Sequence, residues 1–326
     1  MNFLRRIAMN ALPKFVEFHE EGPREGFQIE KQIYPLEQRV KLIEMLAESG
    51  LKQVQVGSFV NPRAVPQMAD TEQLFAAIKK RPGVRYTALW LNQKGFEKAL
   101  ATPGVDLDGK ILFYTTDVFS VRNNNCSVAE NQQRQAEWMK LYAQHNVPVE
   151  TVYVMTAFGC NFQGVVPLSA VLDQFKFALD LCRGGKLPQL YLADTMGWAN
   201  PESIKERIAA VRELAPAARI GLHLHDTRGL GPANFYAALE AGVDLFDSSV
   251  AGLGGCPFAS HAAHTAAGNI CTEDMVLMCQ EMGVATGIDL DKLIAASQFA
   301  EQVIGRTLNG KVMHGGNLEK YRKKAA

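Results

Sequence analysis

The feature that most limits what this chain can fold into is an alternation repeated from one end to the other. Short, mostly apolar runs are each followed by a longer segment of helical periodicity. The predicted strands are Phe15–Phe18, Gln53–Ser58, Tyr86–Leu91, Lys110–Thr115, Glu150–Thr156, Leu190–Asp194, Ile220–His225 and Leu245–Ser249. Predicted helices between them include Leu36–Ser49, Thr71–Lys80, Val128–His145, Leu168–Arg183, Pro201–Leu214 and Pro232–Ala241, several opened by Pro in the first turn and several closed by Gly. The strands lack a clean polar alternation, as expected of parallel strands buried on both faces. About eight strand-then-helix units predict an α/β fold, a single-domain TIM (β/α)8 barrel, and 326 residues suit one. The competing architecture is a doubly wound open sheet, but no glycine-rich dinucleotide loop follows the first strand. The expected organisation is an N-terminal extension over 1–14, the barrel over 15–306 with an additional C-terminal helix, and a tail over 307–326.

A barrel places its chemistry at the C-terminal strand ends and the loops after them. The seventh predicted strand ends there in His223-Leu224-His225-Asp226-Thr227. Side chains two apart on a strand share a face, so the two imidazoles point the same way. One such histidine is usually a satisfied core residue. Two on a short apolar strand would leave several ring nitrogens unpaired, which favours a metal or catalytic role. Neutral imidazoles want a carboxylate beside them, and Glu25 and Asp194 are the candidates. A carboxylate, two His and an amide oxygen with open positions suit Mg²⁺, Mn²⁺ or Co²⁺ better than a closed structural zinc site. Taken alone, Glu25 also reads as a solvated loop acid beside Arg24. Cys256, in a glycine-rich loop after the last strand, reads either as a small buried hydrophobe or as an acid brought over the site.

Charge narrows the partners. Lys+Arg 34 equals Asp+Glu 34, so neither nucleic acid nor an anionic membrane surface is expected to bind. No apolar run approaches the ~18 residues that span a bilayer. The six cysteines are scattered, without a CxxC pair, and read as reduced thiols in a cytoplasmic protein.

Several motifs converge on one family. They are Glu21-Gly22-Pro23-Arg24-Glu25-Gly26-Phe27-Gln28; Ser58-Phe59-Val60 with Val65-Pro66-Gln67-Met68-Ala69-Asp70; Asn125-Cys126-Ser127; Asp194-Thr195-Met196-Gly197; the His223–Thr227 stretch; and Asp247-Ser248-Ser249-Val250-Ala251-Gly252-Leu253-Gly254-Gly255-Cys256-Pro257, with Gly268-Asn269 and Thr272-Glu273-Asp274 beyond. In order, from about Phe15 to Arg306, they resemble the 3-hydroxy-3-methylglutaryl-CoA lyases, within the metal-dependent barrel superfamily that also holds isopropylmalate and homocitrate synthases. The resemblance implies a divalent metal cation, Mg²⁺ or Mn²⁺, bound by Glu25, His223, His225 and the amide oxygen of Asn269. It implies Arg24, His223, Cys256 and Asp194 as catalytic residues. Arg24 would steady the carbonyl and enolate oxygens of the leaving acetyl-CoA, Cys256 would act in proton transfer from a mobile loop, and Asp194 would lie beside the metal and the substrate hydroxyl. Gln28, Gln55, Ser58 and Asn125 are the expected substrate-binding residues, the substrate an acyl-CoA thioester, and the assembly a homodimer or higher homo-oligomer.

The chain departs from that family pattern at the site. Glu25 stands where Asp is usual, one methylene longer, and Gln55 stands where Glu is usual, which removes a negative charge near Arg24. The segment between Cys256 and Gly268 is longer than the usual lyase form and carries His261 and His264. The expected activity is metal-dependent carbon–carbon cleavage of 3-hydroxy-3-methylglutaryl-CoA, or a related 3-hydroxy-acyl-CoA, to acetyl-CoA and a keto product. The alternatives are a condensing synthase joining an acyl-CoA to a 2-oxo acid, which usually carries a further C-terminal region, and an inactive barrel with a binding role.

Overall fold

The computed structural model describes residues 12–255 and 268–322. Its barrel strands are β1 (Glu17–Glu20), β2 (Gln53–Ser58), β3 (Arg85–Leu89), β4 (Gly109–Tyr114), β5 (Val149–Met155), β6 (Gln189–Asp194), β7 (Ile220–Leu224) and β8 (Leu245–Ser248). All eight run parallel, hydrogen-bonded in the order β3-β2-β1-β8-β7-β6-β5-β4. This is the predicted (β/α)8 barrel, with β3 and β4 at the ends of the hydrogen-bonded order. Between those two, the Asp106 N–H donates to the Tyr86 carbonyl at 2.9 Å and the Tyr86 N–H to the Asp106 carboxylate at 2.7 Å.

The strands read as uniformly apolar because both faces are covered. On β7, Ile220, Leu222 and Leu224 belong to the large core that packs strands against helices. Gly221 and His223 face the barrel axis, where a Cβ at Gly221 would meet the Tyr191 ring at 2.5 Å. That axis is plugged beneath the site by Tyr153 stacked on Tyr191, with ring centroids 4.5 Å apart, and by His19, whose Nδ1 lies 3.1 Å from the Tyr191 hydroxyl. On the outer side, Phe18, Phe235 and Phe246 cluster fully buried, each worth roughly 1.5–3 kcal/mol of apolar burial.

Two segments differ from expectation. The first strand lies later than predicted because its acids are paired within the fold. Glu17 accepts from Arg219 at 2.8 Å, and Glu20 accepts from the N–H groups of Gly22 and Val250 and from the Thr272 hydroxyl. At the other end, part of the expected tail is docked. Leu308, Val312 and Met313 are buried, and the Asp274 carboxylate accepts from the Lys311 and Val312 N–H groups.

Candidate active site

The motif after β1 is not an open loop but a π-helical turn over Gly22–Gly26. Such turns recur at functional sites because the extra residue per turn re-aims side chains. This one turns Arg24 and Glu25 into the barrel mouth. Its glycines are set by close approach, since a Cβ at Gly22 would meet Val250 Cγ1 at 2.8 Å and one at Gly26 would meet Leu253 Cβ at 2.7 Å. The turn and the glycine-rich segment after β8 therefore pack directly on each other.

Glu25, His223 and His225 converge at this mouth. Glu25 Oε1 lies 3.4 Å from His225 Nε2 and 4.0 Å from His223 Nε2, and the two Nε2 atoms are 3.0 Å apart. Each ring is fixed from behind. His225 Nδ1 donates to the Thr195 carbonyl at 2.8 Å, an acceptor only, so a neutral His225 carries its lone pair on Nε2. His223 Nδ1 donates to Asp247 Oδ2 at 3.0 Å, and that oxygen also accepts from the Tyr153 hydroxyl at 2.8 Å. Both lone pairs thus face one point beside a carboxylate. Asn269 adds a further oxygen, because its Nδ2 donates to Ser249 Oγ at 2.9 Å while its Oδ1 is buried without a hydrogen-bond partner. Two nitrogen lone pairs, a carboxylate and an orphaned amide oxygen fit a divalent cation, and among the described residues Glu25, His223 and His225 form such a group.

The electrostatics agree. Burial opposes charge on Glu25, yet Arg24 and the two imidazoles hold its carboxyl well below the usual range. Burial also opposes the imidazolium of His223, but Asp247 and Glu25 push it up to about 9, so without a cation a proton takes that place. Arg24 Nη2 lies 2.6 Å from Glu21 Oε2 and 3.2 Å from Glu25 Oε2, and its Nε donates to Gln55 Oε1. Removal of charge near Arg24 by Gln55 is therefore offset by Glu21. These groups line a cavity of about 620 Å³ that reaches from Gln28 and Lys31 at the mouth to Lys110 and Tyr153 on the inner wall.

Of the residues expected at the site, Arg24, Glu25, Gln28, Gln55, His223 and His225 line this cavity. Gln28 offers it a buried Oε1 with no partner. Asn269 and three others are not among its lining residues. Asp194 accepts the Trp198 and Ala199 N–H groups at 2.7 and 3.0 Å, so both its oxygens are turned to backbone, and burial pushes it up to about 6. Ser58 lies at the end of β2 with its hydroxyl buried and unpartnered. Asn125 ends the Asp117–Asn124 helix in the left-handed conformation at φ 50°, and its neighbour Asn123 faces the cavity instead. Cys256, His261 and His264 lie outside the described residues.

Sequence reasoning placed Thr195 and Asp247 in motifs without giving them a role, and missed Tyr153 and Lys110. A carbonyl has no sequence signal. Lys110 had one, a lone charge opening an otherwise apolar strand on the same face as Leu112 and Tyr114.

A family model described as HMGL-like matches residues 15–300. The mitochondrial hydroxymethylglutaryl-CoA lyase of Homo sapiens is 39% identical over 306 residues, covering 94% of this chain and 90% of its own length. A cytoplasmic 3-hydroxy-3-methylglutaryl-CoA lyase of Mus musculus is 36% identical over 92% of this chain and 84% of its own length. Among solved structures, the hydroxymethylglutaryl-CoA lyase of Pseudomonas aeruginosa superposes with a TM-score of 0.85 at 36% identity, covering 97% of this chain and 99% of that one. A lyase of the same name from Acinetobacter baumannii, in complex with coenzyme A and 3-methylmalate, gives 0.84 at 34% identity, covering 95% and 97%.

Proposed function

We propose that this chain, which belongs to the HMGL-like family, is a divalent-metal-dependent carbon–carbon lyase that cleaves 3-hydroxy-3-methylglutaryl-CoA or a related 3-hydroxy-acyl-CoA to acetyl-CoA and a keto product. The observation that carries the reading is the convergence of Glu25, His223 and His225 beside Arg24 at the mouth of the barrel cavity, with Asn269, paired to His225 along the backbone, keeping a buried Oδ1 without a hydrogen-bond partner.

In this reading those four residues would hold Mg²⁺ or Mn²⁺, and a cation held there would polarise the substrate hydroxyl, easing transfer of its proton to a base. Arg24 meets the thioester oxygen as negative charge develops there. Its Nε and Nη2 are tied to Gln55, Glu21 and Glu25, which aims the planar fork before substrate arrives. His223, its ring oriented by the Asp247 bond, is the catalytic imidazole of this reading. Gln28 and Gln55 contact the acyl group, and Cys256 transfers a proton to the leaving acetyl carbon. Asp194 acts one step back: by holding the turn after β6 it fixes the Thr195 carbonyl against His225.

An acyl-CoA thioester is the partner. No helix among the described residues is long and apolar enough to cross a membrane, and the five described cysteines are free and buried, which supports a reducing, cytoplasmic setting. Because Glu25 and Gln55 alter the length and charge of groups at the site, the proposal includes a preference for a related 3-hydroxy-acyl-CoA over the parent thioester. A panel of such thioesters, assayed for acetyl-CoA release with added Mg²⁺ or Mn²⁺, tests both parts. Release from no member of the panel removes the lyase reading, and a clear preference in kcat/KM for the parent removes the second.

A further inference from the structure

Beneath the site, the barrel floor is a polar assembly that the chemistry above leaves without a role. Strands β1, β8 and β7 lie side by side, and their register sets His19 against Asp247 and Asp247 against His223. Neighbouring strands stand about 4.8 Å apart, so inward-facing partners of this kind meet. One carboxylate is therefore flanked by two imidazoles. His223 Nδ1 donates to its Oδ2 at 3.0 Å, and His19 Nδ1 stands 3.8 Å from its Oδ1, which has no hydrogen-bond partner.

His19 is fixed from both ends. Its Nε2 donates to Glu17 Oε1 at 3.0 Å, and chiefly that bond holds the Glu17 carboxyl down at about 2. Glu17 accepts in turn from Arg219 at 2.8 Å, at the N-terminal end of the barrel. With Nε2 committed, a neutral ring offers Nδ1 to the Tyr191 hydroxyl, 3.1 Å away. Tyr191 occupies the space that Gly221 leaves on β7. Tyr153 stacks on it with ring centroids 4.5 Å apart and donates its hydroxyl to Asp247 Oδ2 at 2.8 Å. His19 thus reaches Asp247 twice, by its own ring edge and through the two phenols. All four side chains are buried, and aliphatic groups would fill the same floor without their desolvation cost, so packing alone does not account for them.

We propose that His19 is a positioning residue: held by Glu17 and Tyr191, it fixes the Asp247 carboxylate so that His223 turns its Nε2 lone pair to a divalent cation. His19 is not among the residues lining the cavity, so its effect runs through Asp247. The proposal rests on the metal-binding part of the lyase reading and not on which thioester is cleaved.

Calorimetric titration with Mn²⁺ tests it. His19→Leu, shown to be folded by its Tm and circular dichroism, should bind Mn²⁺ on the order of 10-fold more weakly than the wild type. His19→Gln keeps a donor for Glu17 and an acceptor for Tyr191, and should recover affinity to within about threefold of the wild type. In an Asp247→Asn background, His19→Leu should cost less than about twofold more, because the route it acts through is already broken. A role in packing alone would give neither the rescue nor that loss of additivity. Tyr191→Phe removes one hydroxyl and keeps the stack. It should weaken Mn²⁺ binding by about threefold, and it decides the matter if His19→Leu does not fold. Wild-type affinity in folded His19→Leu or in Tyr191→Phe overturns the proposal, as do losses from His19→Leu and Asp247→Asn that simply add. A wild type that binds no Mn²⁺ overturns the metal reading and this proposal together, whereas unchanged variants of a wild type that binds it overturn the proposal alone.

Discussion

The Nε2 atoms of His223 and His225 face each other at 3.0 Å while both Nδ1 protons are committed elsewhere, to Asp247 and to the Thr195 carbonyl. Two lone pairs cannot bond to one another, so the arrangement is stable only with a cation or a proton between them. His225→Ala removes one of a few neutral donors. Metal analysis after equilibration with Mn²⁺ should find the wild type occupied and the variant depleted, and Mn²⁺ should raise the Tm of the wild type alone. Equal metal content in the two proteins would take His225 out of the site.

Asp247 sets which nitrogen of His223 is available. Asp247→Asn keeps the size but can present an amide N–H to the ring, which favours the wrong tautomer. Its Tyr153 partner would still be in place at the oxygen. Metal affinity, measured by titration calorimetry, should fall by about 10–100-fold, as is usual when the partner of a metal-binding His is lost. Unchanged affinity would show that β7 alone orients the ring.

How far the sequence carried the reading follows from what each signal encodes. Period and punctuation predicted Gln53–Ser58 and Pro201–Leu214 to the residue, because buried parallel strands and Pro-initiated helices leave strong local marks. The pair His223 and His225 was legible because a strand fixes which residues share a face. Asp194 was not, since whether its carboxylate turns to the cavity or to the N–H groups of Trp198 and Ala199 is decided by a tight turn after β6. Glu21 was quoted in a motif but not assigned a role. Only the π-helical turn, which sequence periodicity does not announce, brings it onto Arg24.

Beside the site, Glu273 is fully buried, with one oxygen accepting the Ala251 N–H at 3.0 Å and the other unpartnered. Burial, then Asp274, pushes its carboxyl from 4.5 up to about 8. Between those values the folded chain keeps a proton that the unfolded chain has released, so this contribution to stability is complete below about 4.5 and is lost as the pH rises through about 8. Glu273→Gln removes the dependence. It should raise Tm by roughly 3–8 °C at pH 8 and change it little at pH 5. The same shift at both pH values would mean that the gain comes from packing.

Arg24 takes its carboxylate from the turn after β1 and only a neutral amide, Gln55, from β2. Arg24 is not short of carboxylates here, because Glu21 Oε2 lies 2.6 Å from Nη2 and Glu25 Oε2 lies 3.2 Å away, with Gln55 Oε1 accepting at Nε. The second strand and the turn after the first thus both reach the same guanidinium. If the guanidinium needs one carboxylate besides Glu25 to hold its aim, the position of that acid is exchangeable. Glu21→Gln alone should lower kcat by about 100-fold, since a preorganised cation facing developing charge loses its orientation. Adding Gln55→Glu should recover most of the loss, giving a strongly favourable coupling in the double-mutant cycle. Gln55→Glu alone crowds a third carboxylate onto one guanidinium, so one acid of the cluster should hold its proton to higher pH and the acidic limb of the kcat profile should move upward. Two independent losses that simply add would show that Glu21 serves the turn and not Arg24.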